Sequence, residues 1–279
     1  MQNKTGNAKN IVIIGAGNMG TSLLEGLVAT HCSPDKITIT DPSVDKLTQL
    51  QKQFKVHTTT NNITAANTAD IVIFAVKPHI FSKVALELTE TIQRKKPLVI
   101  SIAAGITESS IQHWLGGSIP IIRTMPNTPA LIGCGATALF ANHYVTQSQR
   151  DNAESILRAV GITIWLNEEK LLDAVTALSG SGPAYFFLII EALQQAGEKL
   201  GLPQEISRLL TLQTAYGAAR LALESKKNIM DLRAAVTSPN GTTEQAIKVL
   251  EKAKIREIMM DTLLAAKNRA EELSKELKS

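Results

Sequence analysis

The sequence predicts an α/β fold, an N-terminal Rossmann-type, mostly parallel sheet followed by an all-α C-terminal region. Three observations carry that prediction. From Asn10 to about Trp165, short β-branched runs alternate with helix-like stretches. The runs are almost wholly apolar, as strands of a parallel sheet covered by helices on both faces must be. After Asn167 the strand signals stop. A length of 279 residues suits about two domains, and a chain of this size needs no disulfide or structural metal to hold its core.

Taken in order, the expected strands are Ile11 to Ile14, Ile37 to Thr40, Ile71 to Ala75, Leu98 to Ile102 and Ile119 to Arg123. Helices follow, with recognisable ends at Pro183, suited to a first turn, and at Gly201 before Leu202 and Pro203, a stop signal. The stretch Ile206 to Leu223 is apolar, Ala or Thr on most of its faces. That is more than one small domain can cover, so burial against a second subunit is expected.

Charge and cysteine content exclude several classes. Lys plus Arg exceed Asp plus Glu by 29 to 25, but from Glu251 onward the signs are interleaved (Glu251, Lys252, Lys254, Arg256, Glu257, Asp261), as on a solvated helix face. No nucleic-acid partner is expected. Ala184 to Ile190 is the longest membrane candidate and Glu191 stops it, so no membrane span is expected. Met1 to Asn10 is polar, without the apolar core of a signal peptide, and a soluble, cytoplasmic protein is expected. Cys32 and Cys134 have no metal-binding spacing, and His31, His57, His79, His113 and His143 are scattered, so no metal site is expected.

Gly15-Ala16-Gly17-Asn18-Met19-Gly20 follows the first strand and opens a helix, the setting a dinucleotide fingerprint requires. Gly15 allows the tight turn and Gly17 lets the backbone approach a pyrophosphate. Gly20 allows close helix packing, and the helix N-terminus supplies N–H groups. Asp41, twenty-one residues beyond Gly20, suits a ribose 2′-hydroxyl and NAD. Ser43 and Lys46 nearby suit the 2′-phosphate of NADP, and a plain turn and helix cap is a third reading. Ala75-Val76-Lys77-Pro78 and Ser101 to Gly105 leave the ends of later strands, where open α/β sheets bind ligands. Three more loops are rich in small residues and hydroxyls: Met125 to Pro129, Ser179 to Pro183 and Ser238 to Thr243. The second and third precede helices, whose free N–H groups suit a carboxylate.

The ordered segments GAGNMG, AVKPHI, SIAAGIT, RTMPNTPA, ALSGSGPAY and SPNGTT, spread between about Ile11 and Ala270, resemble the pyrroline-5-carboxylate reductases. The resemblance implies a Rossmann reductase with an interleaved helical dimerisation domain. It divides the chain into residues 1–167, binding dinucleotide, and 168–279, binding substrate and a second subunit, as a homodimer or a larger oligomer of dimers. It places NADPH, with NADH as the alternative, on Gly15, Ala16, Gly17, Asn18, Met19, Gly20, Ser43, Asn62, Ala75, Val76, Lys77, Pro78, Ile102, Ala103 and Ala104. Without the resemblance, Asn62 reads as a loop asparagine. It places the substrate on Ser179, Gly180, Ser181, Gly182, Gly241, Thr242 and Thr243. The family usually has two glycines where this chain has Asn240-Gly241, and Asn tolerates a positive φ better than most residues.

The implied reaction is NAD(P)H-dependent reduction of 1-pyrroline-5-carboxylate to L-proline, the last step of proline synthesis. A ketone reductase needs a positioned acid for the alkoxide it forms. The β-hydroxyacid dehydrogenases, similar in layout, put a lysine shortly after a glycine-rich turn, where this chain has Phe186 and Phe187. A protonated cyclic imine becomes a neutral amine on taking hydride and demands no such acid. Thr243 is the expected catalytic residue, its hydroxyl on the ring nitrogen. The alternatives are a β-hydroxyacid dehydrogenase-like enzyme and a nucleotide-binding module without turnover.

Overall fold

The computed structural model describes residues 9–277. The polar stretch read above for targeting signals lies outside the described residues up to Ala8. The strands are β1 (Ile11–Ile14), β2 (Ile37–Thr40), β3 (His57–Thr59), β4 (Ile71–Phe74), β5 (Leu98–Ser101), β6 (Ile121–Met125), β7 (Gly135–Ala141) and β8 (Gly161–Trp165). They form one sheet in the order β3-β2-β1-β4-β5-β6-β7-β8. All neighbours pair in parallel except β6 with β7. The expected mostly parallel sheet is therefore present, with β7 and β8 reversed at one edge.

Alternation along the strands sends side chains to two separate cores. Ile11, Ile13, Ile37, Ile39, Ile71 and Ile73 pack on one face against Leu23, Leu24 and Leu27 of α1 (Asn18–Ala29) and Leu47 and Leu50 of α2 (Val44–Phe54). Ala153, Ile156 and Leu157 of α6 (Gln147–Arg158) cover the same face. Val12, Ile14, Val72, Phe74 and Val99 pack on the other, against Ala65 and Ala66 of α3 (Asn62–Ala66), Phe81, Leu88 and Ile92 of α4 (Pro78–Lys95), and Ile111 and Trp114 of α5 (Glu108–Trp114). Because both faces are covered, every residue of β1, β4 and β5 is buried.

The chain crosses from β3, outside β2, to β4 on the far side of β1. The gap this reversal opens at the carboxyl ends of β1 and β4 is where such sheets accept ligands.

The remaining helices are α7 (Leu171–Val175), α8 (Gly182–Lys199), α9 (Gln204–Glu224), α10 (Ile229–Ala235), α11 (Thr242–Lys252) and α12 (Ile255–Glu276). Two compact units result: one extends to Ser181 and takes back the chain from Ala266, and the other is Gly182–Ala265. In the second unit α8 and α9 pack antiparallel through a Gly197–Ser207 contact. The Ser207 hydroxyl donates to the Gln194 carbonyl at 2.8 Å and lies where a Cβ on Gly197 would stand. Gly201 takes φ +97° at the turn between them, as its stop position requires.

Two readings need correction, one of a loop and one of the length of an apolar segment. Ser179 to Pro183 is not a loop: a π-helical turn, Thr176–Gly180, follows α7 directly, and the Ser181 amide bonds the Thr176 carbonyl at 2.8 Å. Because α7, this turn and α8 join, the helical run Leu171–Lys199 spans 29 residues with a mean hydropathy of 1.2 over its most apolar window, long and apolar enough to cross a membrane. Counting from Ala184 alone hides that length. The run is also mostly uncovered within one chain: Phe186, Phe187 and Leu188 are exposed, as are Leu209, Leu210 and Leu221 of α9.

Candidate active site

The glycine turn is built against the end of β4. Gly15 has φ +107°, and a Cβ there would stand 2.6 Å from the Ala75 carbonyl oxygen. A Cβ on Gly20 would stand 2.1 Å from the Gly15 carbonyl oxygen. Both glycines are thus required by the chain's own packing. Gly17 differs. It caps α1 with φ −79°, an angle any residue accepts, and a Cβ there would meet nothing within 4 Å. Nothing within the chain demands glycine at this point, whereas a phosphate seated on the first turn of α1 would. The turn therefore fits a dinucleotide.

Ala16, Asn18 and Met19 complete the turn and enter α1. The Ala16 amide donates to Asp41 Oδ2 at 3.0 Å, and Asp41 Oδ1 accepts the Ser43 amide at 3.0 Å. Asp41 thus ties the glycine turn to the start of α2, a bond the three readings of this residue did not include. Ser43 is the N-cap of α2, accepting the Lys46 amide at a long 3.5 Å. Asn62 is not in a loop. It is the first residue of α3, and its Oδ1 accepts the Thr40 hydroxyl at 2.7 Å, while Asn61 serves as the cap. Ser43 and Asn62 thus flank the end of β2.

At the neighbouring strand ends, the Ala75 amide bonds the Ile14 carbonyl at 2.8 Å. Val76 and Lys77 lead to Pro78 at the first position of α4, with Lys77 exposed as its N-cap. After β5, the Ile102 amide bonds the Phe74 carbonyl at 3.2 Å, and the buried Ala103 amide bonds Ser101 Oγ at 3.3 Å before Ala104. Gly15 to Gly20, Ala75 to Pro78 and Ile102 to Ala104 thus lie at the carboxyl ends of the adjacent strands β1, β4 and β5.

The π-helical turn stands at the end of β6 in the same unit. Asn127 Nδ2 donates to the Ser179 carbonyl at 3.1 Å, and its Oδ1 accepts the Ala136 amide at 2.9 Å. Met125 Cε lies 2.4 Å from where a Cβ on Gly180 would be, so a side chain there would oblige the end of the flexible Met125 side chain to shift. Ser181 and Gly182 continue the chain into α8. Residues flagged only as part of a small-residue loop thus include Asn127, which holds the loop, the π-turn and β7 together. Arg123, on β6, is buried and ion-paired with Glu169. Burial raises the carboxyl pKa of Asp173 one turn on, with Arg123 opposing.

The Ser238 to Thr243 segment belongs to the second unit. Asn240 takes φ +58°, a left-handed conformation that Asn tolerates better than most residues, and its amide donates to Glu244 Oε2 at 3.1 Å. The Gly241 amide is already bonded to the Ser238 carbonyl at 3.0 Å. The amides left without a helical carbonyl here are therefore those of the first turn of α11, from Thr242. Thr243 is exposed in that turn, and no hydrogen bond engages its hydroxyl among the described residues.

The Lys248 ammonium above all holds the Glu244 carboxyl below its ordinary value of 4.5, opposed by desolvation and aided to a lesser degree by the Asn240 amide. A depressed folded pKa means that this grip on the loop is present above the ordinary value and fades as pH falls through the folded one. The protection factor of the Asn240 amide, its exchange rate set against the intrinsic rate at the same pH, should fall below about pH 4.5 in the native chain and not in Glu244→Gln.

The five histidines are exposed, and among the described residues no group of three or more His, Cys, Asp or Glu side chains could hold a metal ion.

Residues 169–273 match the family model for pyrroline-5-carboxylate reductase dimerisation, and residues 10–105 match that for NADP oxidoreductase, coenzyme F420-dependent. A pyrroline-5-carboxylate reductase of Pseudomonas aeruginosa is 45% identical over 267 residues, covering 96% of this chain and 97% of that one. The solved pyrroline-5-carboxylate reductase of Coxiella burnetii is 50% identical with a TM-score of 0.93, covering 96% and 99%. The pyrroline carboxylate reductase of Plasmodium falciparum, solved with NADP bound, is 29% identical with a TM-score of 0.84, covering 95% and 98%. With the glycine turn, the switch-point sheet and the helical unit in place, these likenesses over nearly the whole length make the chain a member of the pyrroline-5-carboxylate reductase family.

Proposed function

We infer that this chain reduces 1-pyrroline-5-carboxylate to L-proline with NADPH, NADH being the alternative donor. The observation that carries the cofactor half of this reading is Gly17, a glycine with no neighbour of its own to satisfy. The dinucleotide would lie on Gly15, Ala16, Gly17, Asn18, Met19 and Gly20, with Ser43 and Asn62 toward its adenosine end. Ala75, Val76, Lys77, Pro78, Ile102, Ala103 and Ala104 would line its path to the nicotinamide. When bound, it supplies the hydride.

The chain's own residues bind and orient. Ser179, Gly180, Ser181 and Gly182 form a wall for the substrate, and Gly241, Thr242 and Thr243 also bind it. The first-turn amides of α11 receive the carboxylate. The Thr243 hydroxyl hydrogen-bonds the ring nitrogen, keeping the C=N carbon turned to the donor. The nitrogen is already protonated, so the amine formed is neutral and the chain need donate no proton. Positioning supplies most of the rate.

Residues 1–167 act as the dinucleotide domain and 168–279 as the substrate and dimerisation domain. Residues 169–273 carry the dimerisation match, so the exposed apolar surface of the run Leu171–Lys199 and of α9 is covered by a second copy rather than by lipid. The assembly is a homodimer or an oligomer of dimers, acting in the cytoplasm on a small-molecule substrate.

Reduction with nicotinamide deuterated at its transferable position tests the chemistry. Deuterium should appear at C5 of proline, the carbon doubly bonded to nitrogen in the substrate. Unlabelled proline, or label elsewhere, contradicts it.

A further inference from the structure

We propose that the ion pair between the buried Arg123 and the half-buried Glu169 is a positioning device for the substrate wall Ser179–Gly182, acting through α7 and the π-helical turn. This rests on the reading of Ser179–Gly182 given above. Arg123 and Glu169 stand 46 residues apart in sequence. The arginine side chain is 8% exposed and the carboxylate 29%. The same carboxylate oxygen accepts the amide of Glu108, the first residue of α5, at 2.6 Å. One acid thus joins β6, α5 and the approach to α7, and its own carbonyl accepts the Leu172 amide at 2.9 Å.

The far end of the same helical segment is held by the same strand. Met125, two residues beyond Arg123, fills the space beside Gly180. Asn127, two further on, bonds the Ser179 carbonyl. Between these grips the backbone must change from α to π hydrogen bonding, with Ser181 bonded back to Thr176. A π-turn persists only where its ends are constrained, and such turns gather at functional sites. The pair is poorly explained as a stabiliser. Arg123 Nε is buried without a partner among the described residues, and an apolar pair at this place would avoid both that cost and the desolvation of two charges. What an ion pair supplies and an apolar contact does not is a fixed orientation.

Glu169→Ala and Glu169→Gln test this in the full chain, with KM for pyrroline-5-carboxylate, kcat, NADPH affinity by fluorescence titration, and Tm read together. Glu169→Ala should raise the substrate KM about tenfold, as a misplaced contact does, while NADPH affinity changes less than about twofold. Glu169→Gln, which keeps the hydrogen-bonding shape, should recover much of the loss. If the alanine variant does not fold, a rise in substrate KM for the glutamine variant carries the test. A lower Tm with unchanged substrate kinetics in Glu169→Ala, or in Glu169→Gln where the alanine variant does not fold, overturns the proposal, as does an equal loss of both affinities. Ser181→Ala separates the two levels. If it and Glu169→Ala both leave substrate kinetics unchanged, the reading of the wall fails and the proposal with it; if only Ser181→Ala has an effect, the clamp alone is overturned.

Discussion

Replacing Gly17 with alanine is expected to weaken NADPH binding by about 10- to 100-fold, the worth of one lost hydrogen bond to a charged group, while the cofactor-free chain keeps its Tm. The added methyl meets nothing in the chain and the backbone angle is ordinary, so folding has no reason to respond. A pyrophosphate seated on the α1 amides would be pushed away. Gly20→Ala makes the contrast. Its methyl would stand 2.1 Å from the Gly15 carbonyl oxygen, so α1 must retreat from the turn at a cost of about 1–3 kcal/mol, as for overpacking. Here Tm and NADPH affinity should fall together. Thermal unfolding without cofactor, paired with fluorescence titration, checks both variants. A destabilised Gly17→Ala, or one that binds NADPH normally, contradicts the assignment.

Thr243→Ala should lower kcat with pyrroline-5-carboxylate by about 10- to 100-fold through loss of one hydrogen bond to a charged nitrogen, with NADPH affinity unchanged. The residue is exposed on the first turn of α11 and its hydroxyl serves no bond of the fold, so stability should hardly move. Thr243→Ser keeps the hydroxyl and should retain most of the activity. Steady-state kinetics with both substrates varied separates this outcome from a cofactor defect. Unchanged turnover in the alanine variant removes Thr243 from the mechanism.

Legibility in the sequence followed local chemistry. β1 and β2 have the bounds expected of them because each is a short β-branched run. Gly15 and Gly20 were readable because only one arrangement makes a strand, a glycine turn and a helix start meet so closely. β7 was not singled out: Gly135-Ala136-Thr137-Ala138 has little β-propensity, and its pairing with β6 and β8 decides its state. β3, three residues long on the sheet edge, offers almost no pattern to read.

The π-turn at Ser179 was hidden for a different reason. Serine and glycine in alternation carry the composition of a loop, and what makes them helical is Met125 and Asn127, more than fifty residues earlier. The Arg123–Glu169 pair was equally invisible, since two charges so far apart in the chain have no pattern in common. Asp41 allowed three readings because residue type alone does not say which donors reach a carboxylate. Its bond to Ala16 is a tertiary fact.

The reaction proposed passes hydride to an already cationic ring without a proton-donating lysine, Phe186 and Phe187 standing just after Ser179–Pro183. Absorbance of reduced nicotinamide, followed with purified protein, gives the direct test when pyrroline-5-carboxylate is set against β-hydroxy acids assayed in the oxidative direction. Rapid consumption with the imine and no measurable oxidation of the alcohols is the predicted result. Inertness toward the imine with brisk alcohol oxidation would contradict it.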